Sequence, residues 1–225
     1  MANPALSLLM LSVSALFIQG AWSATFTFLN KCHYTVWPGL LSGAASGQLP
    51  TTGFRLKPGT TRIVEAPANW SGRMWPRTHC GRQCNNAGGA PPVTLAEFTL
   101  QGDGGKDFYD VSNVDGFNVP ISITPLGKPG CPSTTCKTNI NSVCPRALQT
   151  KLPNGKVVGC KSACLAFGTD QYCCTGSYAN PNTCKSTVYS SVFKKACPQA
   201  YSYAYDDGTS TFTCVGANYL ITFCP

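Results

Sequence analysis

Fourteen cysteines in 225 residues, all between Cys32 and Cys224, constrain this chain more than any other feature. An even count that begins only after an apolar leader belongs to an exported, oxidised protein whose loops are held by cross-links. The first cysteine lies near the expected mature start and the last is one residue from the end. A bridge between those two closes nearly the whole chain into one loop, a constraint of about 5 kcal/mol in the chain-entropy model.

Residues 1–23 read as a secretory signal peptide. The apolar run from Leu6 to Ile18 is short for a bilayer span, and the small residues Ala21 and Ser23 suit the positions flanking a cleavage site. The leader has no Lys or Arg ahead of that run, and a membrane anchor is the competing reading of the same segment. Cleavage predicts a mature protein of roughly 200 residues starting near Ala24, enough for one real core.

Few charges (12%), 22 glycines and 17 prolines argue for a β-rich chain with many turns. The mature start, ATFTFLN, alternates as a half-buried strand does. Further strands are predicted at Thr35–Trp37, Gly53–Leu56, Thr61–Glu65, Ser71–Trp75, Thr94–Thr99, Phe108–Val111, Phe117–Ile123, Thr209–Cys214 and Tyr219–Phe223. Lys57-Pro58-Gly59 supplies a turn between two of them. This spacing predicts a sandwich or barrel. Between Pro125 and Cys197 the texture changes. Nine cysteines fall in Cys131–Cys197 among Gly, Asn, Ser, Thr and Pro, with a short helix predicted near Ser142–Gln149. The reading is a β-sandwich built from 24–79, 91–127 and 198–225, with a disulfide-rich loop domain inserted at 128–197.

The formal net charge is +8, but the basic residues are scattered and only Lys194-Lys195 are adjacent. That argues against nucleic acid as a partner and leaves an anionic wall or lipid surface, or solubility alone. Cys160-x-x-x-Cys164 and Cys173-Cys174 lack metal-ligand spacing, and His33 and His79 lie far from them in sequence. No metal, no cofactor and no histidine-based catalytic triad are expected.

The acids say more. Five of nine carboxylates fall within nineteen residues: Glu97, Asp103, Asp107, Asp110 and Asp115. Asp103 and Asp107 sit in a Gly-rich turn sequence, whereas Glu97, Asp110 and Asp115 are embedded among apolar residues. Carboxylates so placed serve either as the acid and base of glycoside hydrolysis or as a structural network with Arg73 and backbone N–H groups. Asn69-Trp70-Ser71 is a glycosylation sequon, which predicts a surface glycan at Asn69.

The segments TLAEF, DVSNVDGFNVP, GCKSACLAF, DQYCCTG, FKKACPQAYSYAYDD and the closing FTC and NYLITFCP resemble thaumatin-like proteins, including the osmotin and zeamatin types of plant pathogenesis-related protein. The likeness spans essentially all of 24–225. It implies a thaumatin-like β-sandwich with an acidic cleft against the disulfide-rich part. It maps the cleft onto Arg73, Glu97, Asp110, Asp115 and Asp206. It also implies the pairs Cys32–Cys224, Cys131–Cys214, Cys136–Cys197, Cys144–Cys160, Cys164–Cys173 and Cys174–Cys184.

One departure is large. RTHC, ending at Cys80, runs almost directly into QCNNAGGAPP, so the Gly-rich stretch and two cysteines that relatives carry between these elements are missing. A Cys80–Cys84 bridge and a lobe shortened to 80–90 are therefore expected. The resemblance implies a monomeric, secreted, antifungal defence protein of the apoplast that binds β-1,3-glucan or another cell-wall polysaccharide and is at most a weak endo-β-1,3-glucanase. Glu97 is then the general acid, with Asp115 or Asp110 as its catalytic partner. The alternative is a non-enzymatic inhibitor, or a protein that perturbs anionic membranes through its basic surface. Sweet-taste activity belongs to few relatives.

Overall fold

The computed structural model describes residues 24–79, 84 and 89–225. The signal peptide and the Cys80–Cys84 bridge lie outside the described residues. Twelve strands are described: β1 (Ala24–Asn30), β2 (Trp37–Ser42), β3 (Thr61–Ala66), β4 (Ser71–Arg77), β5 (Leu95–Thr99), β6 (Asp107–Ser112), β7 (Ile121–Leu126), β8 (Thr134–Cys136), β9 (Gln149–Lys151), β10 (Val157–Cys160), β11 (Phe212–Cys214) and β12 (Asn218–Phe223). One five-stranded sheet has the order β3-β1-β12-β7-β8 and the other β11-β6-β5-β4-β2; β9 and β10 form a separate hairpin. The fold is a β-sandwich, as the sequence leads one to expect.

Chain ends meet in the first sheet. β1 and β12 run parallel, with Asn30 opposite Phe223. This register brings the residues just beyond both strands together, and Cys32 and Cys224 are bridged with Cα atoms 5.1 Å apart. The other five pairs implied by the resemblance are also formed.

Alternation in the strands decides what lies between the sheets. Phe26 and Phe28 of β1, Phe98 of β5, Tyr109 of β6 and Tyr219 of β12 are all buried, with Trp70 just before β4. Their rings form a continuous cluster: Phe26 lies 4.7 Å from Phe98 and 5.4 Å from Trp70, and Tyr219 lies 5.1 Å from Phe98. Each such side chain contributes about 1.5–3 kcal/mol by burial, and Phe26→Ala alone costs roughly 3–5 kcal/mol. The one buried carboxylate in this layer, Asp107, accepts hydrogen bonds from the Tyr219 hydroxyl (2.7 Å) and the Gln101 N–H (2.9 Å).

Sequence and structure differ at several places. Gly53–Leu56 makes only isolated bridges to Gly39 and Val36 rather than a strand, the strand expected at Thr35–Trp37 begins at Trp37, and the one expected at Phe117–Ile123 begins at Ile121. No helix forms over Ser142–Gln149. Pro145 lacks an N–H and disfavours helical backbone at Cys144, so the segment makes only two single 3₁₀ turns, Ile140–Ser142 and Arg146–Leu148. The longest helix among the described residues is instead α3 (Val188–Ala196), which follows α1 (Ala163–Phe167) and α2 (Asp170–Cys173). Its start is set by Thr187, whose hydroxyl accepts from the Ser190 N–H while Ser190 Oγ accepts from the Thr187 N–H. Finally, Thr209–Cys214 is only half strand: α4 (Asp207–Ser210) precedes β11.

Candidate functional site

Period-2 alternation buries Ala96, Phe98, Tyr109 and Val111, so the residues between them must face away from the core. Antiparallel register then aligns those residues across three strands. Arg73 of β4 stands opposite Glu97 of β5, and Glu97 stands opposite Asp110 of β6. One cation and two carboxylates thus form a single row along the outer face of the second sheet. Residues 24 and 13 positions apart in sequence (97 − 73 and 110 − 97) come together here through strand pairing, since cross-strand neighbours have Cβ atoms about 5 Å apart.

Asp115 joins from the turn after β6. Gly116 has φ +86°, and a Cβ there would lie 2.6 Å from the Cys160 carbonyl oxygen and from Pro92. Only glycine fits, and the turn it closes carries Asp115 Oδ2 to 3.9 Å from Arg73 Nη1. The two side chains are 47% and 38% exposed, so their pairing adds little stability and leaves both within reach of a ligand.

These four residues line one cleft of about 710 Å³. Its opposite wall comes from the chain after α3, which runs beside β6: Tyr201 N–H donates to the Val111 carbonyl and Asn113 N–H to the Tyr201 carbonyl, both at 2.9 Å. Tyr201 and Asp207 from this segment complete the lining. The Tyr201 hydroxyl donates to Asp207 Oδ1 at 2.7 Å and also contacts Thr211 Oγ1.

Asp206 does not line the cleft. Its Oδ2 accepts from the Ser202 N–H (2.9 Å) and Oγ (2.8 Å) and pairs with Lys194 Nζ at 2.9 Å. It ties the loop to α3, and Asp207 occupies the cleft position assigned to Asp206 by resemblance. Neighbouring residues at the start of α4 point different ways, which an Asp-Asp pair in sequence does not disclose. Tyr201 likewise gives no sequence signal beyond standing in a tyrosine-rich run. Asn69, the sequon residue, is exposed at the turn between β3 and β4 with φ 56°.

The electrostatics are graded with depth. Burial raises Asp110 from 3.8 to about 8, with the negative charges of Glu97 and Asp207 adding to it. Burial also raises Glu97, opposed by a hydrogen bond with Ser112 and by the Arg73 charge, while Asp115 adds to the rise. Asp110 Oδ1 is buried without a hydrogen-bond partner in the described residues. Tyr201 is pushed upward, first by burial. The cleft therefore offers a proton-bearing Asp110 at its floor, Glu97 shifted in the same direction beside it, and an exposed Arg–Asp pair at its rim. Among the described residues no group of three or more His, Cys, Asp or Glu is placed to hold a metal, and no helix is long and apolar enough to cross a membrane.

A disulfide-stapled sandwich with a carboxylate-lined cleft on one sheet defines the class. The chain belongs to the thaumatin family, whose model matches residues 30–225. It is 54% identical to pathogenesis-related protein 5 of Arabidopsis thaliana over 89% of this chain and 90% of that one. It is 50% identical to thaumatin-like protein 1a of Malus domestica over the full length of both; that alignment runs to 245 positions, more than this chain has residues, as a missing stretch requires. It is 49% identical to a glucan endo-1,3-beta-glucosidase of Prunus avium, covering 96% and 97% of the two chains.

Proposed function

We propose that this chain is an exported plant defence protein that binds β-1,3-glucan or a related wall polymer in its acidic cleft and is antifungal through that contact. The observation that carries the reading is the Arg73–Glu97–Asp110 row, with Asp115 beside Arg73, facing one open cleft. Sugars present hydroxyl groups that both donate and accept. A protonated carboxyl, an ion-paired carboxylate and a guanidinium side by side match that mixture. The names of the Arabidopsis and Prunus relatives, one pathogenesis-related and one a glucosidase, support the defence role and the polymer class. Export to the apoplast fits six disulfides among the described residues, and a glycan at Asn69 fits its exposed turn.

For a slow endo-hydrolytic step the roles follow from surroundings. Glu97, raised by burial, gives its proton to the departing glycosidic oxygen; Asp115, paired with Arg73, acts on the opposite side as base or nucleophile; Asp110 keeps the floor neutral and orients hydroxyls. The test is co-sedimentation with insoluble β-1,3-glucan together with reducing-sugar release. Glu97→Gln is expected to abolish release, and Arg73→Ala to abolish binding, with both variants folded. A second reading rests on the net charge of +8, which draws the protein to anionic lipid or lets it inhibit an acidic partner. Binding that falls steeply with salt and ignores both substitutions would favour that reading and sink the first.

A further inference from the structure

The acidic cleft does not end at Asp115. Val114, Asp115 and Ala204 are shared between it and a second, narrower depression that runs onto the disulfide-rich segment. There the carboxylates thin out and the lining is mixed: Tyr172 of α2 and Tyr203 stand with Leu165, Gln171 and Lys185. The space is about 90 Å³, room for about three waters at ~30 Å³ each, so it admits a hydroxymethyl arm but does not swallow a sugar ring. A ring passing this point must lie across the mouth, against the tyrosines.

Tyr172 is held for that task by its neighbours. Its ring centroid lies 5.5 Å from Phe167 and 5.7 Å from Tyr189, and Phe167 lies 5.1 Å from Tyr189. Tyr189 packs against the edge of the main core, whereas Phe167 is 40% exposed and Tyr172 only half-buried, so the triad anchors Tyr172 while leaving part of its ring open. Two bridges, Cys164–Cys173 and Cys174–Cys184, fix the backbone immediately after Tyr172. A rigid aromatic with two torsions already spent loses little entropy on binding, which is what an anchor needs. Tyr203 sits on the same loop as Tyr201 and Asp207, and that loop is pinned to α3 by the Lys194–Asp206 pair.

Resting on the polysaccharide reading above, we infer that Tyr172 and Tyr203 form an extension subsite, so that the ligand is one extended, neutral glucan chain lying from the Arg73–Glu97–Asp110 row across Asp115 onto the disulfide-rich segment. The chemistry is divided. Polar groups in the main cleft read hydroxyls, while the tyrosine faces take the apolar C–H face of a more distant sugar. Recognition then depends on chain length, because short fragments fill the polar half alone.

The experiment is calorimetric titration of the mature, oxidised protein with β-1,3-gluco-oligosaccharides of two to eight units. The expected wild-type affinity rises with length until the extension is filled. In Tyr172→Ala/Tyr203→Ala the ratio of affinities for the longest and shortest fragments falls about tenfold, about 1.4 kcal/mol, and Tyr172→Phe/Tyr203→Phe restores it because the rings remain. Thermal unfolding of each variant checks folding. An unchanged ratio in the folded alanine variant overturns the extension while leaving the cleft reading intact. No binding of any length to wild type overturns both.

Discussion

Asp110→Asn tests the physical heart of the cleft, a carboxyl held neutral at neutral pH. In the folded protein Asp110 keeps its proton to about pH 8, whereas its ordinary value is 3.8. Between those values the folded state holds one more proton than the unfolded chain, so stability falls as pH rises through the window and levels off above it. At 1.36 kcal/mol per pH unit, the span from 3.8 to 7 corresponds to up to about 4 kcal/mol at pH 7, all of it present near pH 3.8 and lost progressively upward. Asparagine has the same shape and no proton to lose, and its amide can donate to the neighbouring Glu97. The variant is therefore expected to match wild type near pH 4 and to exceed it at pH 7, by roughly 8–16 °C in Tm if the whole effect is realised. Differential scanning calorimetry from pH 4 to 8 reads this directly. Parallel Tm curves for the two proteins would show that Asp110 ionises normally, and the graded electrostatics of the cleft would go with it.

Replacing Cys32 and Cys224 together by serine opens the loop of 192 residues and is expected to cost about 5 kcal/mol in the chain-entropy model, read as a lower urea midpoint in the oxidised protein. Gly39→Ala places a Cβ 2.6 Å from the Trp75 indole, and a loss of about 1–3 kcal/mol with altered tryptophan fluorescence is the expected outcome; an unaltered Tm refutes the close approach. Lys194→Met strands Asp206 with only its Ser202 donors and frees Ser210, a loss of roughly 1–3 kcal/mol. A double-mutant cycle with Asp206→Asn should show coupling, and strict additivity would contradict the pinning of the 201–210 loop.

The strand at 24–30 was legible because its apolar residues recur every second position, and those at 61–66, 71–77, 107–112 and 218–223 because short apolar and β-branched runs are set off by turn residues. Glu97, Asp110 and Asp115 stood out as charges embedded among apolar residues. The helix was misplaced because Pro145 weighs against it only through local geometry, while the Thr187–Ser190 cap lies in a stretch without apolar periodicity. The short strands β8, β9 and β10 escaped notice because three or four residues carry too little pattern.

Sequence alone determined that this is an oxidised, β-rich chain with its few acids concentrated in one stretch, since composition and two-residue periodicity are local properties. Only the tertiary structure decided that Arg73, Glu97 and Asp110 stand in one row, that Asp207 and not Asp206 faces them, and that Tyr172 and Tyr203 line a depression adjoining their cleft. Those outcomes depend on strand register and on loops brought together by bridges, and the depth at which each carboxyl is buried, which sets whether it holds a proton, exists only once the sheets and the loop after α3 have closed around it.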